Sequence, residues 1–379
     1  MNRRKFLCLT GGGIILAATA TLGTIASRKP TAAFAPWDQA GSLYDEPRKR
    51  ALSYAILAPN PHNRQPWLVD LSRPNTVVLT VDTDRLLPDT DPFNRQITIG
   101  LGCFLEIMVM AAAQDGYAVD LVLFPQGEDD TALDHRPIAI ATFRTDPGIA
   151  PDPLFAHVMT RRSNKDPYDT TRPVAPDTIA QIAAAAIHGS RVAGDATPDS
   201  IAALRRLTTD ALSLEVDTPH TFKESVDLFR IGKAEVDASP DGIDFSGPLF
   251  ETLGAFGLMT REAMGDPTTT IFAQGKAAVL AGPETAMGHL WQATMGNTRT
   301  DQIMAGRDWV RLNLAATGLG VGMQPLSQAL QEFPEMAVHY DAAHAMLAQN
   351  GETLQMLCRL GYGPNIAPSP RWPLEAKLI

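Results

Sequence analysis

The segment RRSNKDPYD, residues 161–169, concentrates Arg161, Arg162, Ser163 and Lys165 within five positions. Guanidinium groups grip a phosphate through paired hydrogen bonds, and a neighbouring hydroxyl can add another. A lysine ammonium is a compact charge that can sit over an electron-rich ring. A solvated basic turn would use the same residues with no ligand at all. A second segment, APNPHNRQPW at 58–67, sets Pro59, Pro61 and Pro66 among Asn60, His62, Asn63 and Gln65. Its prolines restrict the backbone and remove three N–H donors. Its side-chain amides offer donor and acceptor together on short arms. The run reads either as a turn between a helix and a strand, or as a rigid clamp for a planar, hydrogen-bonding ligand.

Other chemistries find less support. The glycines of GLGVGMQPLSQ, 318–328, follow a helical stretch, whereas a dinucleotide fingerprint follows a strand and opens a helix. They read as a helix end running into a strand, or as backbone that can approach a flat ligand closely. The sequence shows no phosphate-binding P-loop and no nucleophile elbow. It has no CxxC and no histidine pair at helical spacing, so no metal site is expected. DTDRLLPDTDP lacks the order of a calcium loop and reads as a solvated acidic loop.

These segments need elements to hold them. Residues 45–57 read as a helix that ends at the proline clamp, and WLVDL and TVVLTVD as strands beyond it. Residues 94–116 form a long helix, apolar nearly all round and therefore central. Strands follow at 118–124 and 136–144, then helices at 176–187, 198–213 and within 219–238. Residues 239–270 are rich in Gly, Pro and small polar residues and read as a loose cover over a site. KAAVLAG reads as a strand, and 306–322 as a second long apolar helix. The order helix, glycine, strand, then a Pro-Gln or Gln-Pro step occurs at 101–126 and again at 307–325. The chain thus divides into a leader at 1–35, a half at 36–149 and a half at 150–379 that echoes it.

The leader, MNRRKFLCLTGGGIILAATA and onward, has a charged start and an interrupted apolar run, the layout of an export signal rather than of a permanent membrane span. Arg3-Arg4 before Phe6-Leu7 resembles a twin-arginine signal, which implies the export machinery as a partner and a periplasmic or otherwise exported location. That route carries folded proteins, often with a cofactor inserted. Cleavage could follow Ala35 or Ala26. Residues 1–35 carry five basic and no acidic residues, so their loss takes the formal net charge from −10 to −15. A nucleic-acid or anionic-membrane role is thereby disfavoured. Beyond the leader only Cys103 and Cys358 remain, both in apolar surroundings and read as buried thiols.

Taken together the motifs resemble the FMN-dependent nitroreductase superfamily, and most closely its duplicated, Acg-type branch. APNPHNRQPW resembles that family's proline loop, RRSNKDPYD its Arg-x-Ser-x-Lys segment, and GRDWVRLNLAATGLGVGMQPLSQ its central helix and following strand. RLGYGPNIAPSPRWPLE resembles its ending. Asn60 departs from the usual serine, and a second set of site motifs is missing. The resemblance implies an α+β fold with antiparallel or mixed sheets flanked by helices, in which two degenerate copies form an internal pseudo-dimer in a monomer. It implies FMN bound at its phosphate by Arg161, Ser163 and Arg371, with Arg162 beside them in the cofactor-binding segment, over its pyrimidine by Lys165, by Asn60, Pro61, His62 and Asn63 of the clamp, and along its reactive edge by Gln324, Pro325 and Leu326. The implied activity is two-electron transfer from a small-molecule donor to an acceptor such as a nitroaromatic or quinone, with no obligatory catalytic side chain. The alternative is a protein that sequesters FMN with little turnover.

Overall fold

The computed structural model describes residues 29–257 and 259–379. The twin-arginine motif at Arg3 and Arg4 and the cleavage position after Ala26 lie outside them. Four helices and four strands occupy the first part: α1 (Ala35–Gln39), α2 (Pro47–Ala55), β1 (Trp67–Asp70), β2 (Thr76–Val81), α3 (Arg95–Gln114), β3 (Tyr117–Leu123), β4 (Ala139–Thr145) and α4 (Pro176–Ala183). Then come β5 (Arg191–Asp195), α5 (Pro198–Asp217), α6 (Pro219–Asp227), β6 (Phe229–Ile231), α7 (Gly232–Ala238), β7 (Ile243–Phe245), α8 (Pro248–Ala255), α9 (Arg261–Gly265) and α10 (Thr270–Glu284). The chain closes with β8 (Gly288–Thr294), α11 (Arg299–Gly318), β9 (Gly322–Pro325), α12 (Ala337–Leu347) and β10 (Thr353–Gly361).

Two antiparallel four-stranded sheets carry the α+β architecture. Their orders are β1-β2-β4-β3 and β5-β8-β10-β9. Counted along the chain, each sheet has the order first-second-fourth-third, and each has a 20-residue helix between its second and third strands: α3 in one, α11 in the other. The two helices cross in the core. A Cβ on Gly102 would lie 2.2 Å from the Ile303 carbonyl oxygen, and one on Gly306 would lie 2.0 Å from that of Ile99. Only glycine permits so close an approach. The contact is reciprocal, as across a two-fold axis. The helix starts reciprocate as well: Arg95 donates to the carbonyl of Gln355 in the second half, and Arg299 to that of Asp129 in the first. As its composition predicts, α3 is buried on almost every side. The Cys103 and Cys358 thiols are both buried and free.

Three sequence expectations are corrected. KAAVLAG is helical, inside α10, where Thr269 caps the start by accepting from the Phe272 amide. Short apolar runs suit either state, and alanine favours helix once a cap and length are supplied. Residues 239–257 and 259–270 include β7, α8 and α9, and Met259 and Met264 pack with Val226 and Phe229 in a small core of their own. The acidic run ending at Asp91 is not simply solvated. Asp91 is buried and accepts from the Gln96 and Ile97 amides, capping α3. Burial pushes its carboxyl up to about 6, against the lowering effect of those two amides.

Candidate functional site

The clamp turns between α2 and β1 under backbone strain. His62, Asn63 and Gln65 all have positive φ, at 46°, 51° and 51°. Such conformations in non-glycine residues persist only where the surroundings enforce them. Here the enforcement is visible. Asn60 Oδ1 accepts from the Gln65 backbone amide at 2.7 Å, and Asn60 Nδ2 donates to the Ala58 carbonyl. Gln65 is fully buried, with its amide donating to Pro240 O and accepting from the Trp372 amide. Asn60 and Pro61 lie against Gly100 of α3, where a side chain would press on both.

The arginines of the basic segment meet the clamp at its backbone. Arg161 is buried. It donates to the Leu57 carbonyl at 3.3 Å and to Asn313 of α11 at 3.4 Å. Arg371 arrives from the C-terminal tail, also buried, and donates to the carbonyls of Leu57 and Ala58 at 3.1 Å each. Asn63 is committed to that tail: its Oδ1 accepts from Arg371 at 2.6 Å and its Nδ2 donates to the Pro370 carbonyl. Trp37 of α1 lies beneath Arg162 and Arg371, 4.7 and 5.5 Å from its ring centre. Among the described residues none of the three guanidiniums has a carboxylate partner, and the Nε–H of each is buried without an acceptor. Burial and then the neighbouring Arg162 lower the Arg161 pKa to about 10. Burial, then Arg161 and Arg162, push that of Arg371 well below its usual value. Proteins rarely bury like charges without a counter-ion. Arg161 and Arg371 share the Leu57 carbonyl, Arg162 and Arg371 share the Trp37 ring, and the donors left over suit a phosphate dianion.

The other end of the segment joins the second sheet. The Asn164 amide donates to the Met323 carbonyl of β9 at 3.2 Å. Arg359 of β10 donates to Gln324 Oε1 and to the Asp166 carbonyl, and lies 3.8 Å from the ring centre of Tyr168. Pro325 pairs with Cys358, and the Leu326 amide donates to the Leu357 carbonyl. Ser163 is half-buried between these two anchorages, and its hydroxyl makes no bond to the described residues. Lys165 is exposed to solvent, yet the protein around it lowers its pKa by desolvation, with Glu215 acting the other way. Its ammonium makes no hydrogen bond to the described residues and is among the charges acting on His62. His62 borders the same space: burial first, then Lys165 and Arg64, lower it to about 4, and its Nδ1 is unpartnered. The predicted residues from the clamp, the basic segment, β9 and the tail therefore converge on one region. Its residues also fit a flavin mononucleotide, with orphaned guanidinium donors at one end and an unpaired ammonium at the other.

Sequence reasoning missed four contributors. Trp37 was close to the presumed leader. Arg359 is a charge in the middle of an apolar strand, which is a usable signal. Asn313 and Glu215 sit on helices where nothing in the sequence marks them. The 239–242 segment is tied to the clamp: Gly242 N donates to Asn63 O, and buried Asp241 takes Arg64, Arg85 and Arg230.

No family model matches the chain. Over 337 residues it is 27% identical to a provisionally named NAD(P)H nitroreductase of Mycobacterium tuberculosis, covering 86% of this chain and 88% of the relative. A shorter stretch of 98 residues is 34% identical to another such M. tuberculosis protein, over 26% of this chain and 29% of that one. Among solved structures, an FMN-dependent nitroreductase of Mycobacterium smegmatis in complex with NADPH aligns at 18% identity and a TM-score of 0.34, over 57% of this chain and 92% of its own. The chain is thus similar, along most of its length, to proteins named as NAD(P)H nitroreductases.

Proposed function

We propose that the protein is an exported FMN-dependent oxidoreductase of the nitroreductase type. The observation that carries this reading is the group of Arg161, Arg162 and Arg371, three guanidiniums with spare buried donors and no carboxylate partner among the described residues. They would hold the phosphate, with Ser163 adding a hydroxyl. FMN, when bound, supplies two-electron chemistry that no side chain here can perform. The chain's own residues bind, orient and enclose. Lys165 provides positive charge at the ring end. Asn63 fixes Arg371. Asn60 and Gln65 stiffen the clamp, with Pro61 and His62 at its face. Gln324, Pro325 and Leu326 present a strand edge held in place by Arg359 and the Leu357 carbonyl.

The matching sheet orders and the Gly102–Gly306 crossing support a duplicated, pseudo-dimeric chain with halves at 36–149 and 150–379. The clamp and basic segment each occur once, so one FMN per chain is expected. Flavin released by denaturation tests this directly. A colourless protein that cannot be reconstituted ends the flavin reading, and two flavins per chain end the one-site version.

The bond from Gln65 to Pro240 over the clamp favours a second reading, a closed site that sequesters FMN. Bleaching by NADPH and reoxidation by a nitroaromatic or quinone supports the enzyme, whereas reduction by dithionite alone supports sequestration. For export, Ala33 is buried and its carbonyl accepts from the Arg371 amide, which favours processing after Ala26 over processing after Ala35. Changing Arg3 and Arg4 together to Lys should retain flavin-loaded precursor in the cytoplasm. Undiminished periplasmic protein in a fractionation would refute the twin-arginine assignment.

A further inference from the structure

We propose that Asp237 is a positioning residue for Arg371, acting through a strap at residues 30–37 that holds the phosphate end of the site together. The consequence for FMN rests on the flavin reading, whereas the strap and its anchor are hydrogen bonds within this chain. The segment PTAAFAPW begins with a helical turn, Ala32–Phe34, and runs into α1. A helical start leaves backbone amides without acceptors. Thr31 stands at the cap position, but its side chain makes no capping bond. Asp237 of α7, 206 residues further along the chain, supplies the cap instead. Its Oδ1 accepts from the Thr31 amide at 3.1 Å and from the Ala33 amide at 3.0 Å. Lys233, one turn earlier on α7, donates to the Lys29 carbonyl at 3.1 Å and lies 3.8 Å from the Asp237 carboxylate. The start of the strap is thereby pinned to α7.

The strap in turn holds the C-terminal tail. The carbonyl of buried Ala33 accepts from the Arg371 amide at 2.8 Å, and Trp37 Nε1 donates to the Ser369 carbonyl at 2.8 Å. Ala33 thus takes Asp237 on its N–H and Arg371 on its carbonyl, so one residue links the two. The Trp37 ring lies against the guanidiniums of Arg162 and Arg371, and the Arg371 side chain runs on to the Leu57 and Ala58 carbonyls of the clamp. Beyond the end of α7, Pro240 accepts from Gln65 and Asp241 pairs with Arg64. The same short stretch therefore grips the strap on one side and the clamp on the other. Buried guanidiniums with no carboxylate partner repel one another, so the backbone has to hold them in place. At Arg371 the capped strap does this, and loosening it should let a bound phosphate leave sooner.

Two measurements test this. Amide hydrogen exchange in the FMN-free protein compares wild type, Asp237→Ala and Asp237→Asn. In Asp237→Ala, residues 30–37 and the Arg371 amide should exchange roughly three- to tenfold faster, the effect of losing a helix cap. Asp237→Asn keeps an Oδ1 acceptor and should stay within about twofold of wild type. Unchanged exchange at Arg371 in Asp237→Ala overturns the link from strap to tail, and fast exchange in Asp237→Asn overturns the cap. The second measurement is the rate at which FMN leaves the loaded protein, followed by the recovery of flavin fluorescence on dilution. Release should be roughly three- to tenfold faster in Asp237→Ala and near wild type in Asp237→Asn. In an Arg371→Met background, adding Asp237→Ala should change release by less than about twofold. A strap that only packs the termini would lower the melting temperature and leave release unchanged. That outcome overturns the positioning role, as does an effect that keeps its full size without Arg371. If no form binds FMN, the flavin reading falls, while the exchange still decides whether Asp237 holds Arg371.

Discussion

Arg161 and Arg371 both donate to the carbonyl oxygen of Leu57, at 3.3 and 3.1 Å. Two buried cations sharing one neutral acceptor repel each other, and after burial itself Arg161 adds to the lowering of the Arg371 pKa. The arrangement costs stability in the free protein and becomes favourable when a dianion arrives. Arg161→Ala should weaken FMN binding by about 1.5–3 kcal/mol per lost charge-assisted contact, whereas Arg206→Ala, on the exposed face of α5, should not. Arg371→Met should raise the melting temperature of the FMN-free protein while weakening its affinity for FMN. Equal FMN affinities in Arg161→Ala and Arg206→Ala would remove the phosphate assignment.

Asn63 and Trp67 lie close in sequence and should behave differently. Asn63 spends its amide on Arg371 and Pro370, so Asn63→Ala should loosen Arg371 and weaken FMN binding with a small effect on the FMN-free melt. Trp67 is fully buried against Phe104, with ring centres 5.0 Å apart. Trp67→Ala should cost about 3–5 kcal/mol of stability. If Asn63→Ala binds FMN normally and melts as early as Trp67→Ala, the clamp is a structural turn.

Gly102→Ala and Gly306→Ala should both destabilise, by about 1–3 kcal/mol or more, because each new methyl meets a carbonyl on the other helix. The contact is reciprocal, so the two costs should be similar. The double variant should cost less than their sum, since the helices need separate only once. Urea titrations measure all three. Full additivity, or a mild cost for either variant, would show that the crossing is not tight.

Glu106 of α3 bonds His188, Arg307 and Arg311, and Arg311 also pairs with Asp152. Burial alone would raise the Glu106 carboxyl. The His188 hydrogen bond and the charge of Arg307 outweigh it, with His188 and Arg311 adding to the effect, and hold the carboxyl down at about 2. Because the folded value lies below the unfolded one, its stabilisation is complete above the ordinary carboxylate pKa of about 4.3 and is lost as pH falls towards 2. Glu106→Gln should cost about 3–5 kcal/mol near neutrality and flatten the fall in stability across that acid range. Parallel acid-unfolding curves for the two proteins would contradict the pairing.

Much of the site was legible in the chain itself. The prolines and amides at 58–67 and the basic cluster at 161–165 stand out through local chemistry, because rigid turns and clustered guanidiniums are costly unless a ligand or the fold requires them. The apolar face of α3 was equally plain, since a helix buried all round needs hydrophobic residues at every position. The second sheet was harder. Every residue of β8 but Trp291 is buried, so GHLWQAT lacks the alternation that marks a strand with one wet face. α11 begins at the Thr298–Asp301 capping box, seven residues before the apolar run that signalled it.

What the residues determined alone was the kind of chemistry and the segments that carry it. Which segments meet was decided by the crossing of α3 and α11. Through it, a clamp in the first half, a basic segment in the second, a strand beyond α11 and an arginine near the C-terminus face one space. That choice depends on backbone-to-backbone contact at Gly102 and Gly306 and on burial of residues far apart in the chain, such as Arg161 and Arg371 on the Leu57 carbonyl. Long-range packing of this kind leaves no periodic trace in the sequence, because the residues that meet are selected by shape and by the cost of burying charge, not by their spacing along the backbone.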